Sequence, residues 1–204
     1  MSDEKVSRLG GYAGILAGAL WMLVVLLELA GTGLLSDGDV MHYLMIVLAL
    51  LVLFAGVTLY FQGQRSRNEK FAIFFLAAGA AALIVSGILY AIQFDPEDGS
   101  AFMSYFINTV LQGLGLAAFG FTLRSRSGFT GMSKALTVLG IALAISFPAA
   151  YLVENLAGSY LSDSVSGVIW LSIMVLEALS WLVLGWTVLT VGKETEIQPA
   201  GSAG

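Results

Sequence analysis

Glu177 stands in the run Ser172-Ile-Met-Val-Leu-Glu-Ala-Leu-Ser-Trp-Leu-Val183, where every other residue is apolar or a serine. A carboxyl in such a run can do two kinds of chemistry. It can exchange a proton or hold a cation, or it can be a neutral hydrogen-bonding group that ties one helix to another. An acid at the centre of a membrane helix costs on the order of 3 kcal/mol on insertion scales. Glu177 is therefore expected to face other helices or a wet cavity, and to hold its proton there.

Other polar residues fall on stripes spaced i, i+3, i+4 and i+7, one face of a helix. One stripe is Tyr105, Asn108 and Gln112, with Gly115 beyond. Others are Ser86, Tyr90 and Gln93; Tyr151, Glu154 and Asn155; and Gly14, Gly18, Trp21, Val25 and Glu28. His42 opens a further apolar run. His42, Asn108, Gln112, Ser180 and the tyrosines are the bonding partners open to Glu177. An outward-opening polar pocket with Glu177 at its floor would use most of these groups. Glu28, Gln93, Asn108, Gln112 and Glu154 would line it, with Tyr90, Tyr105, Tyr151 and His42 along the same path. The alternative is that Glu177 bonds Gln112 or a backbone carbonyl and locks two helices together.

Much chemistry is excluded. With no cysteine there is no thiolate, disulfide or Cys-based metal site. Glu28, His42 and Glu154 are metal-ligand types, but no ligand spacing joins them, so no metal or cofactor is expected. No nucleophile elbow, zinc-protease helix, P-loop or catalytic pair of acids is present, and an enzyme is not expected. Nothing in the charge suggests nucleic-acid binding.

The elements that position these residues are read from hydropathy. The 204 residues are 58% hydrophobic and 11% charged, where a soluble domain is about 25% charged. Six apolar runs each reach across a bilayer core of about 30 Å at about 1.5 Å per residue. They are 9–30, 42–62, 71–94, 101–123, 135–157 and 165–191. The runs are continuous rather than alternating, which means helices and not a barrel. The expected fold is all-α: a polytopic membrane domain over 9–192, built as three helical hairpins. Residues 1–8 form a short N-terminal segment, and 193–204 read as a disordered polar tail.

All nine Lys and Arg residues fall at one side of this frame: Lys5, Arg8, Arg65, Arg67, Lys70, Arg124, Arg126, Lys134 and Lys193. The positive-inside rule then puts both termini in the cytoplasm, in a cell (inner) membrane. The first run is too long for a signal h-region and lacks a small-residue cleavage site, so it is expected to remain as a membrane helix.

A threefold internal repeat is suggested by spacing. Gly56-Val-Thr58, Gly120-Phe-Thr122 and Gly185-Trp-Thr187 close the even-numbered runs, with 64 and then 65 residues between the threonines. Ten residues before each threonine stand Leu48, Gln112 and Glu177. Equal helices joined by equal loops would give the same spacing without duplication, and the threonines would then serve only to bond the preceding turn. Pro148 removes an amide donor from the fifth run and should kink it. Gly14-x-x-x-Gly18 and Ala78-x-x-x-Ala82 would let helices approach closely, within the chain or in a homo- or hetero-oligomer.

The opening stretch, VSRLGGYAGILAGALWMLVVLLELAG, resembles the first helix of small uncharacterised six-helix prokaryotic membrane proteins. Size and helix count are also similar to substrate-binding subunits of vitamin transporters. Two functions are expected from these features. One is binding or transport of a small solute or cation, proton-coupled through Glu177. The other is a structural or accessory subunit whose buried polar groups only hold helices together.

Overall fold

The computed structural model describes residues 3–33, 38–62, 66–92, 100–124, 129–157 and 163–197. Six helices follow one another: α1 (Asp3–Leu29), α2 (Gly38–Gln62), α3 (Arg67–Ala91), α4 (Ser100–Leu123), α5 (Thr130–Ala157) and α6 (Asp163–Ile197). Each is long and apolar enough to cross a membrane, so the chain is an all-α, multi-pass membrane protein. Helices are the economical answer here because their backbone groups bond internally where no water is present.

The helix ends have local causes. Ser66 and Glu69 form a reciprocal capping box at the start of α3. The Ser66 amide donates to Glu69 Oε2 at 2.8 Å, and the Glu69 amide to Ser66 Oγ at 3.3 Å. α1 stops in a left-handed turn: Gly31 has φ 78°, its amide donates to Glu28 O, and the Thr32 amide to Leu27 O. That pair of bonds is a Schellman cap, which glycine adopts without a Cβ clash. α6 runs on to Ile197, so residues 193–197, expected in a disordered tail, are helical; residues 198–204 lie outside the described residues. Lys193 and Glu194 continue a helix readily, and the apolar run ending near Val191 does not mark its end. α5 is continuous through Pro148.

Each helix packs on its sequence neighbours, and α1 packs on α6, so the bundle closes into a ring. α3–α4, α1–α6 and α4–α5 are the most extensive interfaces, and α5–α6 the least extensive around the ring. α6 also touches α2 and α4. Small residues set the tight contacts. A Cβ on Gly185 would stand 2.4 Å from the Ile15 amide nitrogen and 2.6 Å from Gly11 O. A Cβ on Gly113 would stand 2.5 Å from Ala144 N, and one on Gly140 2.5 Å from Ala117 N. The Gly14 and Gly18 face is spent inside the chain, against Gly185 and against Ala178 and Leu182 of α6. On α3 the buried small residues are Ala72, Gly79, Ala80, Ser86 and Gly87, while the predicted Ala78 and Ala82 are only partly buried.

Large exposed side chains are apolar around the ring, among them Leu23, Leu50, Phe74, Val138, Leu156 and Val168. Lipid solvates such a surface and water does not. Inside, Trp21, Leu48, Leu76, Phe119, Leu136 and Trp181 belong to one large apolar cluster, and Phe147, Ala150 and Ile173 to a smaller one between α5 and α6. The three glycines of the expected repeat do not share one contact pattern. Gly56 of α2 faces Leu76 of α3, and Gly185 of α6 faces Gly11 of α1, at matching positions; Gly120 of α4 faces Ser133 and Thr137 of α5, off that register.

Candidate functional site

α6 holds Glu177 with its side chain wholly enclosed, midway along the apolar span Val165–Val191. Three donors reach it. Trp21 Nε1 of α1 donates to Oε2 at 3.0 Å, and the Tyr105 hydroxyl of α4 donates to the same oxygen. Asn108 Nδ2, one turn along α4 from Tyr105, donates to Oε1 at 3.1 Å. Both carboxyl oxygens are thus engaged, by groups of two other helices.

The bonds extend away from the acid as a directed chain. Asn108 Oδ1 accepts from Gln112 Nε2 at 2.5 Å, and Gln112 Oε1 accepts from Trp181 Nε1 at 2.6 Å. Trp181 lies one turn after Glu177 on α6, so the chain closes back onto that helix. The two amides point the same way, each turning its donor toward Glu177. No Lys or Arg lies in 9–62, 71–123 or 135–192, so no side-chain cation stands at this depth.

The local fold explains the reach of these groups. Gly18 brings α1 against Ala178 and Leu182 of α6, which carries Trp21 to the carboxyl. Gly79 of α3 leaves room for Gln112, since a Cβ there would sit 2.7 Å from Gln112 Cγ. Trp21 packs on Trp181 and Tyr105 at centroid distances of 6.2 and 6.4 Å.

A second carboxyl sits nearer the end of the bundle away from the basic residues. Glu154 of α5 is partly buried, and its Oε1 accepts from Trp170 Nε1 of α6 at 2.7 Å and from the Ser166 hydroxyl. Between the two acids lies an unbroken row of rings. Trp170 packs on Phe147 at 4.8 Å, and Phe147 on Tyr105 at 5.7 Å. Phe147 is wholly buried and next to Pro148.

The residues singled out by sequence therefore divide. Glu177, Asn108, Gln112 and Tyr105 come together, with Gln112 one bond removed from the acid rather than on it. Ser180 is not a partner, since its hydroxyl donates to Leu176 O of its own helix. Glu154 belongs to the second cluster. Tyr151 is half exposed on the outside of α5, and Asn155 donates to its carbonyl. Glu28 is partly buried at the last turn of α1, and His42 packs its ring on Tyr43 at 3.7 Å. The backbone of Tyr90 lies in α3, but its side chain and all of Gln93 lie outside the described residues. Among the described residues no three His, Asp or Glu side chains gather as metal ligands, so Glu28, His42 and Glu154 do not form one such group.

Sequence reasoning missed the indoles of Trp21 and Trp181 as bond donors in the Glu177 cluster, and that of Trp170 at Glu154. The available signal was depth: a tryptophan in mid-span, away from the interface belts, must find an acceptor for its N–H. The repeated threonines take the plain role. Thr58, Thr122 and Thr187 bond the carbonyls of Ala55, Phe119 and Val183 in their own helices. Compared with family models, curated proteins and solved structures, the chain matches none.

Proposed function

We propose that this membrane protein binds or transports a small solute or cation, taken from the end of the bundle away from its basic residues, in exchange for a proton at Glu177. The observation that supports this reading is an enclosed carboxyl met by three donors and by no cationic side chain. A buried carboxylate without a countercharge is costly, and a proton or another cation would supply the charge that the site lacks. A glutamine would bond helices together without that cost. Tyr105 suits the exchange, because a hydroxyl can turn from donor to acceptor when the carboxyl gains a proton. The role is not enzymatic. In this reading the protein lies in the cell membrane, and the positive-inside rule supports cytoplasmic termini.

The test is proton flux in liposomes, read by an internal pH dye under imposed solute or cation gradients. Glu177→Gln keeps the shape and much of the bonding but cannot exchange a proton. Flux falls to background while thermal stability stays near that of the natural chain. Unchanged flux removes Glu177 from the mechanism. It would leave the second reading, an accessory subunit, which draws on the absence of exposed surface at Glu177, Asn108 and Gln112.

A further inference from the structure

The row of rings between the two carboxyls bears on what kind of cation the site would take. A hydrated inorganic ion gains little from aromatic faces, and the amide oxygens beside Glu177 are already engaged, Asn108 Oδ1 by Gln112 and Gln112 Oε1 by Trp181. An organic cation with apolar substituents gains from both features: ring faces attract its charge without needing its hydration shell, and a carboxyl at the end of the row supplies the countercharge. Here the row runs from Trp170, whose indole is tied to Glu154, through Phe147 and Tyr105 to Trp21 and Trp181 around Glu177.

The way in follows from packing. The row lies along α4, α5 and α6, and α5–α6 is the least extensive interface of the ring. α5 is also the least enclosed helix and α4 the most enclosed. Pro148 takes one hydrogen bond out of α5 beside Phe147, where the helix bends most readily. Bending of α5 at Pro148 would shift Phe147 from Trp170, and since no α5 group bonds Glu177 the bonds there stay in place.

We propose that the ligand is a lipophilic organic monocation, such as a quaternary ammonium or phosphonium, that enters between α5 and α6 past Glu154 and Phe147 and displaces a proton at Glu177. This rests on the proton-exchange reading above and adds the ligand class and route to it.

The probe is tetraphenylphosphonium, titrated into the purified full chain in detergent. Tryptophan emission reports binding, and a pH electrode in weakly buffered solution reports released protons. Saturable quenching with proton release is expected. Glu177→Gln should abolish the release and weaken binding by at least about 100-fold, the scale of losing a desolvated charge partner. Phe147→Leu keeps the bulk and removes the ring; it should weaken binding about threefold or more while leaving the proton release intact. It also serves if Glu177→Gln does not fold. Binding unchanged in Phe147→Leu overturns the aromatic route. Proton release driven by sodium or potassium but not by the probe overturns the ligand class and leaves proton exchange at Glu177 standing. If no cation and no solute gradient moves a proton, proton exchange falls, and this proposal with it.

Discussion

Glu177 and Glu154 are the same side chain in two settings. Each accepts an indole N–H and a hydroxyl, from Trp21 and Tyr105 in one case and from Trp170 and Ser166 in the other. The partners of Glu177 are 156, 72 and 69 residues away along the chain. Those of Glu154 are 12 and 16 away. The inner acid therefore joins helices from both ends and the middle of the chain, while the outer one ties only α5 to the helix that follows it. The inner acid has no exposed surface, and the outer one is partly exposed. Near-identical bonds thus carry different weight, decided by burial and by how many helices meet at the acid.

Removing each carboxyl tests this most severely. Glu177→Leu strands the indole of Trp21, the hydroxyl of Tyr105 and the amide of Asn108. Buried donors left without acceptors cost about 1–3 kcal/mol each in water-soluble folds, and bonds in membranes average nearer 0.6 kcal/mol. A total loss of about 2–4 kcal/mol is expected. Glu154→Leu should cost under about 1 kcal/mol, because water reaches its partners at the bundle end. Reversible unfolding in mixed micelles gives both values. Equal losses would break the comparison.

The next effect acts on the inner acid without touching it. Gly185→Leu places a side chain where α1 backbone already lies 2.4 Å from a Cβ position. Backbone cannot yield as a flexible side chain can, so α1 must move off α6. Overpacking of this kind costs about 1–3 kcal/mol. Trp21 should then lose Glu177, shifting its emission, while the Glu154–Trp170 bond persists. A red shift that survives in the Trp170→Phe background, but not in Trp21→Phe, assigns the change to the inner site.

This contrast also marks what was legible in the sequence. Six helices followed from hydropathy, because a membrane leaves the backbone no other continuous choice. The stripe Tyr105, Asn108 and Gln112 followed from helical period, and two of its three members do bond Glu177. Trp21 could not be joined to Glu177 that way. Their contact depends on which helices meet across the ring, and periodicity within one helix carries no such information. The closure of α1 on α6 comes instead from backbone approach at Gly11, Gly14 and Gly185. Glu154, expected along the same path as Glu177, bonds Ser166 and Trp170 of α6 and no member of the Glu177 cluster. The depth of a residue along its helix was readable; its neighbour on the ring was not.

Smaller substitutions sharpen the comparison by isolating single bonds. Trp21→Phe and Trp170→Phe each delete one N–H donor and keep a ring. Trp21→Phe should cost about 1 kcal/mol, near the middle of the range for one bond between membrane helices, and Trp170→Phe about half that or less. The double change, read as a cycle against Glu177→Gln, should show coupling only for Trp21. Thr187→Val provides the floor. Thr187 is as buried as Glu177, yet its hydroxyl bonds Val183 O within its own helix at 2.7 Å. Deleting that bond leaves a carbonyl that keeps its backbone donor, and valine fills nearly the same volume, so a change within about 0.5 kcal/mol is expected. If Thr187→Val cost as much as Trp21→Phe, burial alone would govern these polar groups. If it costs little, what matters at Glu177 is that its bonds cross between helices.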